Sequence, residues 1–395
     1  MILEYIYANG KREMLPLDRH IKANPNWEYI QTLNKLEFIK EFIPRYKSQQ
    51  KLVLFDANHK QLLDFYNQNN LNKLQELKNL QENTKILFFT SGSSGFPVGA
   101  FKTKDNLENE VESLKKILIQ KKIKRVVVTV PFVHIYGILA GLLLPMALGD
   151  ITLIVKEDFL PYELLEEANH QDTLVITTPV FIKALGKLTD DINLKNTLFI
   201  SSTAPLSIKD IALFEQKYST NVMQLFGSTE TGGIAYKLGQ TTLWKPLDGV
   251  VVETKNDKLS IKSKFISKYL LKDRLEEVTQ PYQTEDIVHI NDNGFELIGR
   301  SNKLIKIAGK RISALQIERI LEEIPEINKA IVELKYKQEL LRSEQILITL
   351  EASKQIEKKT IKEKISQYYG IITIPFSLKY VEKINYSAMG KKVIF

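Results

Sequence analysis

Residues 88–99 read Phe-Phe-Thr-Ser-Gly-Ser-Ser-Gly-Phe-Pro-Val-Gly and directly follow an apolar segment that is typical of a strand. The hydroxyl groups of this stretch can donate hydrogen bonds, and its glycines allow backbone N–H groups to close around an anion. The stretch has no Gly-Lys-Ser/Thr ending and is therefore not a Walker A loop. The hydroxyl-bearing residues and glycines that begin this stretch are Thr90, Ser91, Gly92, Ser93, Ser94 and Gly95. Taken alone, it is either a phosphate-binding loop or a flexible surface turn.

Outward from this loop, short apolar segments alternate with amphipathic segments. The predicted strands are 85–89, 125–130, 151–155, 173–177, 197–201 and 222–226, and the predicted helices include 106–120 and 207–218. This alternation is typical of right-handed βαβ units that form a mostly parallel sheet. Ligands of such folds bind beyond the C-terminal ends of the strands. The polar clusters 90–95, 201–205 and 227–231 all follow predicted strands, which favours a binding loop over a surface turn.

The two ends of the chain have other patterns. Residues 1–83 are polar and rich in Asn, Gln, Lys and Leu, which predicts helices around one strand at 52–55. Residues 241–298 predict a β-rich subdomain of short strands and turns. After them, a strand pair, a helix, two strands, a helix and a strand predict a small α+β domain. The predicted fold is α/β, with a large N-terminal domain (1–299) of mostly parallel βαβ sheets plus the β-rich subdomain, and a small C-terminal domain (300–395).

Composition limits the kinds of site that the chain can carry. Its 395 residues, of which 44% are hydrophobic, are enough to bury a core in about two domains. The absence of cysteine from the sequence excludes disulfides, thiol catalysis and thiolate metal sites. The five histidines lack the spacing of zinc ligands. The N-terminus lacks the pattern of a signal peptide, so a cytoplasmic location is expected.

The net charge of +8 raises the question of a polyanionic partner. Lysine is spread along the chain and alternates with glutamate, as in 354–364, which is typical of a solvated helix face. No zinc-finger, RNP or basic-stripe motif is present in the sequence, so a nucleic-acid partner is not expected. Dispersed positive charge suits small polyanions such as nucleotides or coenzyme A better.

One uncharged segment, 126–149, is long enough to span a bilayer. Pro131 and Pro145 interrupt it, and its two parts have different character. The part at 126–130 is β-branched and strand-like, while the part at 138–148 is helix-like. We therefore predict a buried strand followed by a buried helix, and no membrane span.

Seven clusters, in this order, resemble the acyl-adenylate-forming superfamily of acyl-CoA synthetases, aryl- and fatty-acid ligases, nonribosomal adenylation domains and luciferases. They are a phosphate loop (90–99), an acid-pocket motif (131–137), an adenine-side strand end (201–206), a Tyr-Gly-x-Thr-Glu-like signature (226–230), a ribose motif (282–286), a hinge motif (299–318) and a terminal lysine motif (385–391). The ordered set is more specific than any one member. The resemblance implies that the small C-terminal domain is mobile.

The resemblance also implies a reaction, in which a carboxylate attacks the α-phosphate of ATP to give an acyl-adenylate and pyrophosphate. Such a transfer depends on positioning and charge neutralisation. By resemblance, Glu230 binds Mg²⁺, for which a carboxylate oxygen is suited, and Thr229 contacts phosphate. Asp286 accepts hydrogen bonds from the ribose, Arg300 contacts ribose or phosphate, and Lys391 bridges the carboxylate and the α-phosphate. The other implied nucleotide contacts are the six loop residues named above and Thr203, Ala204, Pro205, Phe226, Gly227 and Ser228.

His134 borders the acyl pocket in this resemblance and is counted with the catalytic residues; on its apolar stretch it is otherwise a packed core histidine. Adenylation domains that activate α-amino acids tend to have an aspartate at this place, and residues 131–137 contain none. A plain carboxylic acid, aryl or aliphatic, is therefore the expected substrate. Ile135, Ile138 and Leu142 either shape the pocket or belong to the core.

The sequence departs from the family pattern at several positions. Val98 stands where a lysine is usual, so that Lys102 or Lys104 supplies the charge or the loop binds pyrophosphate less tightly. Glu285 stands where glycine is common and adds repulsion near the phosphates if it points inward. Asn302 occupies the hinge position, where its small polar side chain tolerates unusual backbone angles. The region before the phosphate loop is also shorter than in typical members.

We therefore expect a cytoplasmic, Mg²⁺-dependent acid–thiol ligase whose small domain turns about Asn302 to admit a thiol after the acyl-AMP forms. The thiol is coenzyme A, which the stand-alone two-domain chain favours, or the phosphopantetheine arm of an acyl carrier protein. Lys306, Lys310 and Arg311 either meet coenzyme A phosphates or an acidic carrier, or are ordinary surface charge.

Two rival interpretations stay open. One is an adenylate-only enzyme that passes the acyl group to an amine or alcohol. The other is a catalytically degenerate nucleotide-binding protein, which Val98 and Glu285 favour. The retained residues argue against degeneracy; they are Glu230, Asp286, Arg300 and Lys391.

Overall fold

The structure is a computed structural model, which describes residues 1–17, 20–32, 34–54, 80, 84–90, 98–190, 192–272, 274–300, 304–307, 310–336, 344–369, 376–386 and 392–393. The predicted loop residues 91–95, the predicted hinge residue Asn302 and Lys391 lie outside the described residues. The chain divides into two compact units. The first comprises Met1–Thr241, Lys245–Val252 and Ile261–Tyr282, and the second comprises Thr242–Trp244, Glu253–Ser260 and Gln283–Phe395. The predicted domain boundary at 299/300 stays a prediction.

Parallel strands dominate the larger sheet of the first unit. The strands up to residue 277 are β1 (Ile2–Ile6), β2 (Arg12–Leu15), β3 (Trp27–Ile30), β4 (Lys51–Leu54), β5 (Thr84–Thr90), β6 (Val98–Thr103), β7 (Arg125–Val128), β8 (Thr152–Lys156), β9 (Thr173–Thr177), β10 (Thr197–Ser201), β11 (Asn221–Ser228), β12 (Gly232–Leu238), β13 (Leu243–Pro246), β14 (Val250–Lys255), β15 (Lys258–Ser263), β16 (Tyr269–Leu271) and β17 (Leu275–Glu277). Within the first unit, the larger sheet has the order β12-β11-β10-β9-β7-β8-β1-β2. Strands β11, β10, β9, β7, β8 and β1 are parallel neighbours, while β12 and β2 pair antiparallel at the two sides. This arrangement confirms the predicted α/β fold class.

Helices cover the larger sheet on both faces. The described helices of the first unit are α1 (Lys35–Lys47), α2 (Lys104–Leu118), α3 (Ile135–Ile138), a π-helix (Leu139–Leu143), α4 (Leu144–Leu148), α5 (Pro161–Ala168), α6 (Pro179–Gly186) and α7 (Ile208–Tyr218). One face packs against α5, α6 and α7 through apolar side chains that include Val175, Phe199 and Phe214. Burial of this apolar area stabilises the layers. On the other face, a Cβ added to Gly141 of the π-helix would lie 3.0 Å from Val128 Cγ1.

The uncharged segment 126–149 folds as a buried strand followed by buried helical turns, which confirms that prediction. β7 ends at Val128, and the helical turns run from Ile135 to Leu148. Pro145 lies in the first turn of α4, where a missing N–H group costs little. Among the described residues, no helix combines the length and the apolar composition that a membrane span needs.

The smaller sheet of the first unit has the order β17-β16-β6-β5-β4-β3. Strands β3, β4 and β5 are parallel, and β6 returns antiparallel to β5, so that Val98 pairs with Thr90. Leu87 of β5 and Phe101 of β6 pack with Leu271 of β16 in one apolar cluster. The predicted phosphate loop thus links two adjacent strands of this sheet.

The prediction of a helix-rich segment 1–83 is wrong for its described part. That part contains the strands β1 to β4 and the helix α1. Leu3 and Tyr5 of β1 are buried where this strand pairs with β8, far away in the sequence. Strand formation of this kind depends on distant partners more than on local composition. The predicted strand at 52–55 is confirmed as far as Leu54, and Phe55 lies outside the described residues.

The second unit contains a small α+β layer. Its later elements are β18 (Tyr282–Asn291), β19 (Gly294–Arg300), β20 (Leu304–Ile307), β21 (Lys310–Ser313), α8 (Ala314–Leu321), β22 (Ile327–Tyr336), β23 (Glu344–Ala352), α9 (Lys358–Tyr369), β24 (Phe376–Tyr380), β25 (Asn385–Tyr386) and β26 (Lys392–Val393). Strand β23 lies between β22, which is antiparallel, and β24, which is parallel. Ile317 of α8 and Ile361 of α9 pack with Ala330 and Ile348 of the sheet. This succession confirms the predicted order of elements, and the mobility of the domain stays a prediction.

Candidate active site

Polar side chains form a row across the parallel strands, here called the polar row: Thr129 after β7, Thr177 and Ser201 at the ends of β9 and β10, and Gln224 where the parallel pairing of β11 with β10 ends. Thr177 pairs in register with Ser201, and Ser201 pairs with Gln224, so these side chains point to the same face of the sheet. Thr129 Oγ1 lies 2.9 Å from Thr177 Oγ1. Among the described residues, Ser201 Oγ and Gln224 Nε2 are buried without a hydrogen-bond partner. Because buried polar groups are normally paired, these atoms are unused hydrogen-bonding capacity at the predicted site.

The loop after β10 starts at the polar row and carries the predicted adenine-side residues Thr203, Ala204 and Pro205. Thr203 has a φ of +83°, a conformation that is costly for a β-branched residue. Its Oγ1 is buried and has no hydrogen-bond partner within the described part of the chain. Ser202 Oγ donates to the carbonyl oxygen of Leu225 at 2.9 Å, which joins the loop to β11. Strained backbone of this kind is concentrated at functional sites.

Glu230 lies on a tight turn between β11 and β12. A Cβ on Gly227 would collide with a backbone carbonyl of β12, so this position requires glycine. Ser228 N–H donates to Thr231 Oγ1 at 3.1 Å, and Thr231 N–H donates to Ser228 Oγ at 3.2 Å. These reciprocal hydrogen bonds close the turn and leave Thr229 and Glu230 half-buried at its tip.

Lys102 of β6 is fully buried next to this turn. Its Nζ donates to the carbonyl oxygens of Phe265 at 2.6 Å and Glu230 at 3.2 Å. The N–H of Ser267 donates to the same Glu230 carbonyl at 2.9 Å. Loss of hydration lowers the pKa of Lys102. The expectation that Lys102 supplies the charge missing at Val98 is wrong, because its ammonium group is enclosed and bound to main-chain carbonyls.

Glu110 of α2 binds the strand that follows the turn. Its Oε1 accepts a hydrogen bond from Gly233 N–H at 2.8 Å, and loss of hydration raises the pKa of Glu110. Gly232 has a φ of +70°, and a Cβ there would lie 2.5 Å from Glu110 Oε2. Sequence reasoning missed Glu110 as a site residue. Its signal was an acidic residue on the apolar face of an amphipathic helix. The role of Lys104 as a phosphate contact stays a prediction.

The predicted acid-pocket motif lies at the same strand ends. The hydroxyl oxygen of Tyr136 is 3.1 Å from the carbonyl oxygen of Thr177 and 2.8 Å from that of Ile200. Burial raises the pKa of Tyr136, which keeps it a neutral donor. His134 precedes α3, is half-buried, and accepts a hydrogen bond at its carbonyl from Ile138 N–H at 3.1 Å. Ile138 is fully buried, so it belongs to the core.

Lys35, the first residue of α1, lies at the ends of β7 and β8. It is 6% exposed, and its Nζ donates to the carbonyl oxygens of Thr129 at 3.0 Å, Lys156 at 3.1 Å and Glu157 at 2.8 Å. Loss of hydration lowers the pKa of Lys35 to about 8. Sequence reasoning missed this residue, since no motif marks a buried lysine.

The predicted ribose residues lie together in the second unit. Asp286 and Arg300 are register partners on β18 and β19, with Arg300 Nε 3.4 Å from Asp286 Oδ1. The N–H of Asp286 donates to Thr284 Oγ1 at 3.0 Å. Glu285 lies 2.9 Å from Lys258 Nζ. This ion pair offsets the negative charge of Glu285, whose repulsion near the phosphates is expected only if its side chain points inward.

Lys392 is tied into the second unit beside the predicted catalytic Lys391. Its Nζ donates to Glu318 Oε2 at 3.2 Å, to Glu322 Oε1 and to the carbonyl oxygen of Ala330 at 2.9 Å. Loss of hydration lowers the pKa of Lys392, but the two carboxylates outweigh this effect and raise it. Its ammonium group is therefore bound within the second unit, and the catalytic role of Lys391 stays a prediction.

Comparison with known proteins identifies the family. A profile of the AMP-binding enzyme family matches residues 30–258, which is more than half of the chain. The chain belongs to the AMP-binding enzyme family. The match includes the polar row, the loop after β10 and the Glu230 turn, while Asp286 and Arg300 lie beyond its last residue.

The AMP-binding enzyme has curated and solved relatives. It is 25% identical over 346 residues to the peroxisomal OPC-8:0-CoA ligase 1 of Arabidopsis thaliana, a match that covers 79% of this chain but only 63% of that ligase. It is 20% identical to a 3,4-dihydroxybenzoate–[aryl-carrier protein] ligase of Bacillus anthracis, over 81% of this chain and 74% of that ligase. Its structure matches o-succinylbenzoate coenzyme A synthetase (MenE) of Bacillus subtilis, in complex with ATP and magnesium ion, with a TM-score of 0.76. That match has 16% identity, covers 93% of this chain and 88% of the synthetase, and shows the fold.

The donors at this site of the AMP-binding enzyme fit a nucleotide with Mg²⁺. Glu230 offers a carboxylate on a closed turn, and Mg²⁺ prefers such oxygen ligands. Ser201, Thr203 and Gln224 offer unpaired polar atoms close by in the fold. Among the described residues, no group of three or more His, Asp or Glu could hold a metal. A magnesium ion held here would have the Glu230 carboxylate as one of its oxygen ligands.

The predicted site residues of the AMP-binding enzyme fall into three groups. Those at the C-terminal strand ends of the first unit are His134, Thr203, Ala204, Pro205, Phe226, Gly227, Ser228, Thr229 and Glu230. Asp286 and Arg300 lie in the second unit. The backbone of Thr90 ends β5, while residues 91–95, Asn302 and Lys391 lie outside the described residues. The roles assigned to all of them stay predictions.

Proposed function

We propose that this AMP-binding enzyme activates a small carboxylic acid with ATP as an acyl-AMP and transfers the acyl group to a thiol. The observation that carries the proposal is the Glu230 turn, which presents a carboxylate at the same strand ends as the strained loop at Thr203. The names of the ligase relatives support it, as does the fold likeness to a synthetase solved with ATP and magnesium ion.

In the first step, a carboxylate oxygen of the acid forms a bond to the α-phosphorus of ATP, and the bond to pyrophosphate breaks. Bound Mg²⁺ would supply positive charge against the phosphates. Glu230 would hold that ion, Thr229 would contact a phosphate oxygen, and Lys391 would neutralise charge at the α-phosphate. Asp286 and Arg300 would orient the ribose. These residues act by positioning and charge stabilisation.

In the second step, the thiol sulfur forms a bond to the acyl carbon, AMP leaves, and the thiol proton passes to solvent. Coenzyme A is the favoured thiol, and the phosphopantetheine arm of a carrier protein is the alternative, supported by the name of the Bacillus anthracis relative. The small domain would turn about Asn302 between the two steps. Lys306, Lys310 and Arg311 follow this hinge as candidate contacts for an acidic acceptor.

The proposed substrate is a plain acid, aryl or aliphatic. The segment 131–137 includes Tyr136, whose hydroxyl lies at the strand ends. The segment contains no carboxylate that would pair with an α-ammonium group. A buried ammonium group without a partner is costly. Amino acids are therefore expected to be poor substrates.

The first test is acid-dependent ATP–pyrophosphate exchange with aryl, aliphatic and amino acids. We expect exchange with one class of plain acid, and a loss of about 10²- to 10³-fold in Lys391→Ala and in Glu230→Gln, because each removes charge stabilisation. Lys354→Ala is the matched control, since Lys354 is an exposed lysine of the second unit that pairs only with Glu326 in the contacts described. ATP binding without exchange for any acid would instead indicate a degenerate nucleotide-binding protein.

The acceptor is tested separately by product analysis. The enzyme is incubated with ATP, the active acid, and either coenzyme A, a carrier protein bearing phosphopantetheine, an amine or an alcohol. A thioester of coenzyme A is the expected product. Amide or ester formation alone would contradict thiol transfer while leaving the adenylation step intact. The cytoplasmic location and the absence of a nucleic-acid partner stay predictions.

A further inference from the structure

Two buried ionisable side chains lie next to the Glu230 turn, and the proposed reaction does not use them directly. Lys102 belongs to β6, the strand that follows the predicted phosphate loop, and Glu110 belongs to the next helix, α2. Lys102 is 0% exposed and Glu110 is 5% exposed. Burial of charged groups is costly unless they are bound by suitable partners. A feature that costs stability calls for a reason beyond packing.

The contacts of Lys102 join three segments of the first unit. Its ammonium group connects β6 to the carbonyl oxygen of Glu230 and to that of Phe265. The Glu230 carbonyl receives a second hydrogen bond from Ser267 N–H. This peptide oxygen is thus held from two directions, while the Glu230 side chain is half-buried at the tip of the turn.

Glu110 holds the far side of the same turn through the N–H of Gly233. Gly232 has a left-handed backbone conformation, and a Cβ atom at Gly232 or Gly233 would lie within 3.0 Å of a Glu110 carboxylate oxygen. Lys102 and Glu110 therefore bind the backbone on the two sides of the turn tip, one as a donor and the other as an acceptor. The orientation of the turn depends on both.

We propose that Lys102 is a positioning residue for Mg²⁺–nucleotide binding, which acts by fixing the main chain of Glu230. This inference rests on the proposed function, in which the Glu230 carboxylate holds the magnesium ion. Partners that orient a metal ligand typically change metal affinity by 10- to 100-fold when they are removed. The effect should therefore appear in the binding of ATP with Mg²⁺ and not in the binding of AMP, which requires no metal.

The test compares full-length Lys102→Met, Glu110→Gln and the double variant Lys102→Met/Glu110→Gln with the wild type. Methionine keeps the length of the lysine chain without its charge, and glutamine keeps an acceptor for Gly233 N–H. The double variant removes both charges, so it separates loss of stability from loss of positioning. Lys115→Met is the matched control, because Lys115 is a half-buried lysine of α2 that forms an ion pair with Glu112.

The measurements are the melting temperature and the dissociation constants of AMP, of ATP with EDTA and of ATP with Mg²⁺, by calorimetry. We expect Lys102→Met to weaken Mg²⁺–ATP by about tenfold and to leave AMP unchanged. The double variant should regain melting temperature but keep the weak Mg²⁺–ATP binding. In Glu110→Gln and Lys115→Met, Mg²⁺ should increase the affinity for ATP as much as it does in the wild type.

Two results would overturn the inference. A double variant that recovers both stability and Mg²⁺–ATP affinity would reduce Lys102 to a structural role. A Lys102→Met protein with the full magnesium-dependent gain would exclude positioning through Glu230. A wild type without any magnesium-dependent gain in ATP affinity would contradict the proposed function itself. A wild type with this gain and a Lys102→Met variant that keeps it would contradict the inference alone.

Discussion

Buried lysines in the two units are bound in opposite ways. Lys35 and Lys102 of the first unit direct their ammonium groups to main-chain carbonyl oxygens. Lys392 of the second unit contacts the carboxylates of Glu318 and Glu322 as well as a carbonyl. Loss of hydration acts on all three, and it lowers the pKa of the first two. The carboxylates reverse the outcome for Lys392.

The difference shows that burial alone does not decide the charge state of a lysine. For Lys35 and Lys102, loss of hydration outweighs the carbonyl oxygens and the charges of nearby carboxylates such as Glu157 and Glu110. For Lys392, the two carboxylates that are hydrogen-bonded to it outweigh the loss of hydration. The pKa of Lys35, about 8, therefore lies near the physiological range, whereas the pKa of Lys392 is raised away from it. They also differ in what their removal leaves behind: of the three, Lys392 is the one whose removal takes the cation from two carboxylates that are hydrogen-bonded to it.

The largest effect is expected for Lys392→Met. This change leaves Glu318 and Glu322 without their cation, and breaking a largely buried ion pair costs about 3–5 kcal/mol of unfolding free energy. Urea unfolding followed by circular dichroism measures it. Lys354→Met, which removes an exposed pair with Glu326, should cost less than about 1 kcal/mol. Equal losses in the two variants would show that the Lys392 contacts are energetically ordinary.

A smaller, pH-dependent effect is expected for Lys35→Met. The folded pKa of Lys35 is about 8, below its ordinary value of 10.5, so the unfolded state binds more protons between these values. Wild-type stability should therefore rise with pH in this window, and the variant should lack that rise. Between pH 8 and 10, the unfolding free energy of the wild type should increase by about 2 kcal/mol relative to that of Lys35→Met. If the stabilities of the wild type and of Lys35→Met change with pH in the same way, Lys35 does not titrate in this range.

The smallest effect is expected for Tyr136→Phe. Its hydroxyl also binds carbonyl oxygens, those of Thr177 and Ile200, but it carries no charge. Loss of this buried hydrogen bond should cost about 1 kcal/mol. The cost should be the same at pH 7 and pH 9, because burial raises the pKa of Tyr136. A cost that changes with pH would break the distinction between neutral and charged donors.

The sequence predicted the strand ends because their pattern is local. Apolar runs of four to six residues end in polar clusters at Ser201 and Gly227, and the parallel order of the strands brings these ends together. The small domain was predictable for the same reason, since its helices and strands alternate clearly. The order of the motifs indicated the family resemblance, and the proposed roles of residues such as Glu230 came from that resemblance.

The buried lysines were not predictable, because their environment is made by distant segments. Lys102 and Lys104 stand two residues apart, yet only Lys102 meets the carbonyls of Glu230 and Phe265. Nothing within the strand indicates those partners. The strand β1 escaped prediction likewise, because it exists through its pairing with β8. The local sequence predicts periodicity and turns, whereas the burial of a residue depends on segments far away in the sequence.

The contacts of Lys35 also have a consequence for the order of folding. Its ammonium group joins carbonyls that are 94 to 122 positions away in the sequence. Such contacts require the closure of a long loop and the prior pairing of β7 with β8. We therefore expect the three hydrogen bonds of Lys35 to form only after β7 and β8 have paired, so that they would add stability only to chains with the correct strand order.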